Sequence, residues 1–188
     1  MPHRIQTYHI GEITIYIVPI PADGGSRSDR EAIARDLILD THLPGQTVSH
    51  HADGAPYLTV FPAPAISISH CVSHYALAVG PVSLHFGIDI ETPRTQLLRI
   101  ALRFLSPADL TALDLPDNPS EEDLDTLLLA WTSKEAAYKA VHPQPPTDLK
   151  RDIRLLSPDR AVCHNRHLVL HHLPLGKTYL TLAVEPPA

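Results

Sequence analysis

This chain is poor in cysteine, in basic charge and in long apolar runs, and each shortage closes off a class of protein. It has two cysteines, Cys71 and Cys163, and no CxxC pair, so neither a disulfide framework nor a zinc knuckle is written into it. Both are expected to be plain buried thiols in a reducing compartment. Lys and Arg number 15 against 21 Asp and Glu, for a net charge of -6. A nucleic-acid binder needs a clustered basic excess, so no nucleic-acid partner is expected, and an anionic ligand must be met by a local basic site. No stretch approaches about 18 uninterrupted apolar residues, and the opening MPHRIQTYHIGEITIYIVPI lacks a charged region leading into a long apolar run and a cleavage site. The expectation is a soluble, cytoplasmic protein without membrane contact. Histidine is abundant, at 13 residues, yet there is no HExxH. The adjacent pairs His50-His51 and His171-His172 point apart on a strand or a helix, so they read as surface or satisfied histidines rather than chelating pairs.

What is present suffices for a core. A hydrophobic content of 44% in 188 residues suits one compact domain or two small halves. EITIYIV at 12–18 alternates and is rich in Ile, which predicts a first strand. Asp23-Gly24-Gly25 then turns the chain into a helix expected to start at Ser28, with Glu31 completing a capping box and Ile33, Leu37 and Ile38 as its apolar face. After a stretch containing Pro and Gly over 44–64, residues 65–91 read as two or three strands with a turn at Gly80-Pro81. RTQLLRIALRFLS at 94–106 sets Leu97, Ile100, Ala101 and Phe104 at helical spacing, with Arg99 and Arg103 on another face. Ser106-Pro107 marks a fresh N-cap with Pro at the first helical position. EEDLDTLLLAWTSKEAAYKAV at 121–141 is the clearest helix, acidic at its start and with Lys139 near its end, stopping before HPQPP at 142–146. HLVLHHL at 167–173 and YLTLAV at 179–184 read as strands of a second sheet.

Two segments carry charge where a core would be apolar. In FGIDIE at 86–91, strand alternation puts Ile88 and Ile90 on one face and Gly87, Asp89 and Glu91 on the other, with the two acids roughly 7 Å apart along the chain. That face is either a solvated edge or a seat for a cation. In WTSKEAAYK at 131–139, a spacing of about 100° per residue aligns Leu128, Thr132, Glu135 and Lys139 on one stripe. The stripe either points at a polar pocket or emerges into solvent, and Glu135 with Lys139 is by itself an ordinary i,i+4 pair.

Taken in order, FGIDIE and WTSKEAAYK resemble the signature of the 4′-phosphopantetheinyl transferases, roughly G-[IV]-D-x-E followed by W-[ST]-x-K-E-x-x-x-K. DGAPY at 53–57 is similar to a D-G-[KR]-P-x element, and ISISH at 66–70 to an N-x-S-H strand, of the surfactin-synthetase-activating, pseudo-dimeric class. The resemblance implies an α+β fold of two similar subdomains related by a pseudo-twofold axis. Each subdomain would be an antiparallel sheet with a long helix, and the active site would lie in the cleft between them. It implies an N-terminal half, 1–81, with coenzyme A and carrier contacts, and a C-terminal half, 82–188, with the Mg-binding carboxylates. It implies transfer of the phosphopantetheine arm of coenzyme A to a serine of an apo acyl or peptidyl carrier protein, by a monomer, releasing adenosine 3′,5′-bisphosphate. The alternative is an inactive relative that binds coenzyme A or a carrier protein.

The residue roles follow from the same resemblance. Asp89, Glu91 and Glu135 correspond to ligands of Mg²⁺, an ion that takes a few carboxylates together with phosphate oxygens. Glu135, or a water it orients, takes the serine proton. Lys139 and His70 contact phosphate, with Ser69 assisting. Lys134 serves another part of the site or snorkels at the surface. Arg27 and Arg30, beside the expected helix start, are candidates for the 3′-phosphate. Arg99 and Arg103, and Lys150, Arg151 and Arg154, face either an acidic carrier or plain solvent. The chain departs from the pattern at Ala55, where Lys or Arg is usual, at Ser67 in place of Asn, and at Asp109, where Glu is frequent.

Overall fold

The computed structural model describes residues 4–141 and 147–186, so HPQPP at 142–146 lies outside the described residues. The chain divides into two compact units, Met1–Leu84 and His85–Ala188. Both join antiparallel sheets to helices, an α+β arrangement.

In the first unit, β1 (Gln6–Ile10) and β2 (Ile13–Pro19) form a hairpin whose tight turn places Gly11 at φ +56°, a left-handed conformation that glycine adopts without steric cost. Ile13, Ile15 and Ile17 alternate into the core, as the Ile-rich pattern demands. β1 reads as no strand in the sequence because its residues are largely exposed and polar, leaving no apolar alternation to detect. α1 spans Arg27–His42, and a short hairpin follows in β3 (Val48–His50) and β4 (Pro56–Leu58). β5 (Ala65–His70) and β6 (His74–Gly80) complete a four-stranded sheet of order β1-β2-β6-β5.

α1 corrects two expectations. Its N-cap is Ser26 and not Ser28: the Ser26 hydroxyl accepts from the Asp29 amide at 3.3 Å, and the Asp29 carboxylate takes the Ser26 amide at 2.9 Å. Two overlapping Ser-x-x-acid frames compete here, and Glu31 is drawn out of the second by Arg27, whose Nε donates to it at 2.6 Å. The buried face is accordingly Ala34, Ile38 and Leu39, while Ile33 is 46% exposed.

The second unit has a five-stranded sheet of order β7-β11-β10-β9-β8. β7 is Phe86–Glu91, β8 Ile153–Ser157, β9 Arg160–Cys163, β10 Arg166–Leu175 and β11 Thr178–Val184. α2 (Gln96–Phe104) buries Leu97, Ala101 and Phe104, and α3 (Pro107–Ala112) starts at the Ser106 cap, with Asp109 closing a capping box. A 3-10 turn at Glu121–Asp123 leads into α4, Leu124–Ala140. Leu127, Leu128, Ala130, Ala136, Ala137 and Ala140 on α4 are buried in one core with α2, α3 and the sheet.

The seam between α4 and β7 depends on small residues. A Cβ built on Gly87 would run into the Ala136 carbonyl and the Ala140 amide, and would stand 2.7 Å from the Lys139 Cβ. Only glycine lets the helix backbone sit directly on that strand face. β7 is thus an end strand of its sheet, yet Phe86 to Ile90 are all buried. Both cysteines are free and buried. Among the described residues no helix is long and apolar enough to cross a membrane.

Candidate active site

β7 and α4 bring four of the expected residues to one seam of the second unit. Asp89 and Glu91 stand on the strand face that Gly87 opens to α4, and Glu135 and Lys139 stand on the facing helix. The Lys139 ammonium donates to Asp89 Oδ1 at 2.8 Å and to the Ile88 carbonyl at 3.0 Å. The lysine therefore reaches across to the sheet, and among the described residues no ion pair joins it to Glu135 as an ordinary i,i+4 pair would. Glu91 Oε1 accepts from the Arg94 guanidinium at 3.0 Å, and the Trp131 indole nearby favours its ionised form. Arg94 lies over the Trp131 ring, 5.7 Å from its centroid, and Phe104 meets the same indole edge-on at 5.0 Å.

Glu135 is different. It is half-buried, and its carboxylate makes no hydrogen bond or ion pair with any described residue. Burial raises its pKa above the usual glutamate value, the charges of Asp89 and Glu91 raise it further, and Lys139 and Arg94 oppose them. Glu91 is raised for the same reasons, burial first and then Asp89, against Arg94, Trp131 and Lys139. Three acids thus repel one another across a helix–sheet seam, with two internal cations for partial relief. Among the described residues no three His, Cys, Asp or Glu side chains converge as a ready-made metal cluster. Arg94 holds Glu91 and Lys139 holds Asp89, so these two carboxylates are each engaged by a side chain of the protein.

Lys134 is not with them. Its side chain is fully buried and neither snorkels nor faces the seam. Its ammonium donates to Asp109 Oδ2 at 2.7 Å and to the carbonyls of Leu149 and Ile153 at 2.8 and 2.6 Å, so all three of its protons are matched. Asp109 in turn accepts from Ser106 at its amide (2.7 Å) and hydroxyl (2.8 Å), and from the Leu155 amide (2.7 Å). Burial lowers the Lys134 pKa and Asp109 opposes that shift. The pair ties α3, α4 and β8 together, and only its complete hydrogen bonding makes such burial tolerable.

The remaining candidates lie in the first unit. His70 Nδ1 is 3.1 Å from Glu31 Oε1, the same oxygen that Arg27 holds, so Glu31 links Arg27 and His70. Arg30 Nη1 donates to the Pro21 and Ala22 carbonyls at 3.2 Å, which fastens the loop before α1. Asp29 places its own carboxylate at the start of that helix, where an anion had been expected. Ser69 is buried at the end of β5, and Ser67 is buried on the same strand. Ala55 sits in the β3–β4 turn and donates its amide to Asp53 Oδ1 at 3.1 Å. In the second unit, Arg99, Arg103 and Arg154 are exposed, Lys150 donates to the Leu102 carbonyl at 2.7 Å, and Arg151 pairs with Asp148 at 3.5 Å.

Sequence reading missed Arg94, Trp131, Thr181 and His172. Arg94 follows Glu91 by three residues, a spacing that could have flagged the pair. The other contacts are set by packing and carry no local signal.

An acid and amine cluster thus lies on one helix–sheet seam of the second α+β unit, in a segment that resembles a known family. Residues 85–175, just under half of the chain, match the model of the 4′-phosphopantetheinyl transferase superfamily. The matched segment lies within the second unit and contains Asp89, Glu91, Lys134, Glu135 and Lys139, while Arg27, Arg30, Ser69 and His70 lie outside it. No curated protein matches the chain.

Proposed function

We propose that this protein is a 4′-phosphopantetheinyl transferase of the surfactin-synthetase-activating class, acting as a monomer on an apo acyl or peptidyl carrier protein. The observation that carries the reading is Glu135, a half-buried carboxylate without a bonding partner among the described residues, facing two further acids in the segment matched to the family. In the reaction, the carrier serine oxygen attacks the phosphorus nearest the pantetheine arm of coenzyme A. One P–O bond of the pyrophosphate breaks, and adenosine 3′,5′-bisphosphate leaves.

The donor set fits Mg²⁺, because Asp89, Glu91 and Glu135 are hard oxygen ligands and Mg²⁺ needs only a few of them beside its waters. These three residues would hold the ion, which supplies positive charge to the pyrophosphate as the bond breaks. Glu135 takes the serine proton, a role that its raised pKa favours by making the carboxylate a stronger base. Lys139 holds a phosphate oxygen as a point charge. His70, with Nδ1 beside Glu31, turns Nε2 to a coenzyme A phosphate, and Ser69, Arg27 and Arg30 lie in the same unit as His70. Lys134 supports α4 from within and does not touch substrate.

A second reading, a relative that binds coenzyme A or a carrier without transfer, is favoured by Ala55 and by the engagement of Asp89 with Lys139. Incubating the protein with coenzyme A, Mg²⁺ and apo carrier proteins, then weighing the carriers, separates the two. Mass gain that disappears in Glu135→Gln supports transfer. Coenzyme A binding without mass gain on any carrier supports the second reading.

A further inference from the structure

α4 rests on the sheet through small apolar side chains, and contacts of that kind are non-directional. Two sets of directional bonds add what such contacts lack: the buried Lys134–Asp109 pair ties α4 to α3 and β8, and a second chain of hydrogen bonds, buried at its α4 end and exposed at Pro158, joins α4 to the sheet beside Asp89. Thr132 Oγ1 of α4 lies 2.7 Å from Thr181 Oγ1 of β11, and both residues are fully buried. Thr181 Oγ1 lies 3.0 Å from His172 Nδ1 of β10, and His172 Nε2 lies 2.7 Å from the Pro158 carbonyl.

The protons of this chain can be assigned. A carbonyl only accepts, so Nε2 of His172 carries a proton. Burial favours the neutral imidazole, which leaves Nδ1 as an acceptor for the Thr181 hydroxyl. Thr181 has then used its only proton, so Thr132 must donate to it, and Thr132 shares its one proton between Thr181 Oγ1 at 2.7 Å and the Leu129 carbonyl of its own helix at 3.1 Å. The chain runs in one direction, from Thr132 to Thr181 to His172 to the Pro158 carbonyl. Its location matters as much as its polarity. Thr181 is the cross-strand partner of Asp89, and Thr132 precedes Glu135 by three residues, one turn along α4.

We infer that Thr132 and Thr181 are positioning residues, with His172 behind them, whose hydrogen-bonded chain sets Glu135 and Lys139 over Asp89. The inference rests on the transferase reading for its effect on rate and on geometry alone for its effect on placement, so two measurements are paired. Thr132→Val removes the helix link while leaving Thr181 free to donate to His172. It should lower kcat about tenfold or more, since small misplacements in a site cost up to about a hundredfold, with KM for coenzyme A within about twofold and activity restored in Thr132→Ser. A crystal structure of Thr132→Val should show the 2.8 Å contact between Lys139 and Asp89 lengthened or lost. If the variant does not fold, Thr181→Val with Thr181→Ser as its rescue is measured in the same way. Unchanged kcat in a protein that transfers, or a Ser variant as impaired as its Val counterpart, overturns the inference and leaves the transferase reading standing. If the unmodified protein transfers nothing, that reading falls, and the crystal structure decides the placement alone: an intact Lys139–Asp89 contact overturns it, and a broken one supports it.

Discussion

Glu135 concentrates the tension in the seam. Burial disfavours its ionised form, and ionising it also places a third negative charge beside Asp89 and Glu91, which is why its pKa is raised. A carboxyl whose folded value lies above its unfolded one binds more protons folded than unfolded as pH rises through that window, so this group's contribution to stability falls with rising pH. Glu135→Gln should therefore melt at a higher temperature than the unmodified protein at pH 7, and the gap should close as pH is lowered through the usual glutamate range. A thermal melt series across pH checks the sign, and a Gln variant that melts lower at pH 7 contradicts it. If the same group is the base of the proposed reaction, transfer should fall off on the acid side at a pH above the ordinary glutamate range, which a pH–rate profile checks. Glu91 shares the cause but has a guanidinium and an indole in hand, so the two acids are not interchangeable.

At the scale of elements, the buried Lys134–Asp109 pair shows how a motif residue can serve the fold. Lys134 stands beside Glu135 in sequence, about 100° away around the helix, and that rotation takes it from the seam into the core. There it joins α4 to α3 through Asp109 and to β8 through the Ile153 carbonyl. Lys134→Met leaves Asp109 charged and buried without its partner, an arrangement that costs roughly 3–5 kcal/mol. Chemical denaturation should register that loss. A folded variant with ordinary stability and a raised KM for coenzyme A would instead make Lys134 a substrate ligand. Helix ends illustrate what local pattern leaves undecided: the frames at Ser26 and Ser28 are equally good capping boxes in sequence, and the choice fell to Ser26 because Arg27 and His70 claim Glu31. The Ser106 cap had no such competitor and lies where its motif puts it.

For the whole molecule, the proposed carboxylates and Lys139 lie in one unit, and His70 with Arg27 in the other. If His70 contacts a phosphate, His70→Ala loses a charge-assisted hydrogen bond worth about 1.5–3 kcal/mol, and KM for coenzyme A should rise roughly tenfold to a hundredfold. The proposed transfer step should keep its kcat, so steady-state kinetics over coenzyme A concentration provide the check, and a fall in kcat at unchanged KM would place His70 elsewhere in the mechanism. Residue types and short spacings by themselves determined the alternating strands, the amphipathic helices, the acids on one face of β7 and the stripe on α4, because these features repeat with the backbone's own periods of 2 and 3.6. Only the folded chain decided that Lys139 bonds to Asp89, that Lys134 turns inward to Asp109, and that Thr181 stands between Asp89 and His172. Those pairings join residues far apart in sequence, where no local period reaches and where packing space and the matching of buried polar groups make the choice.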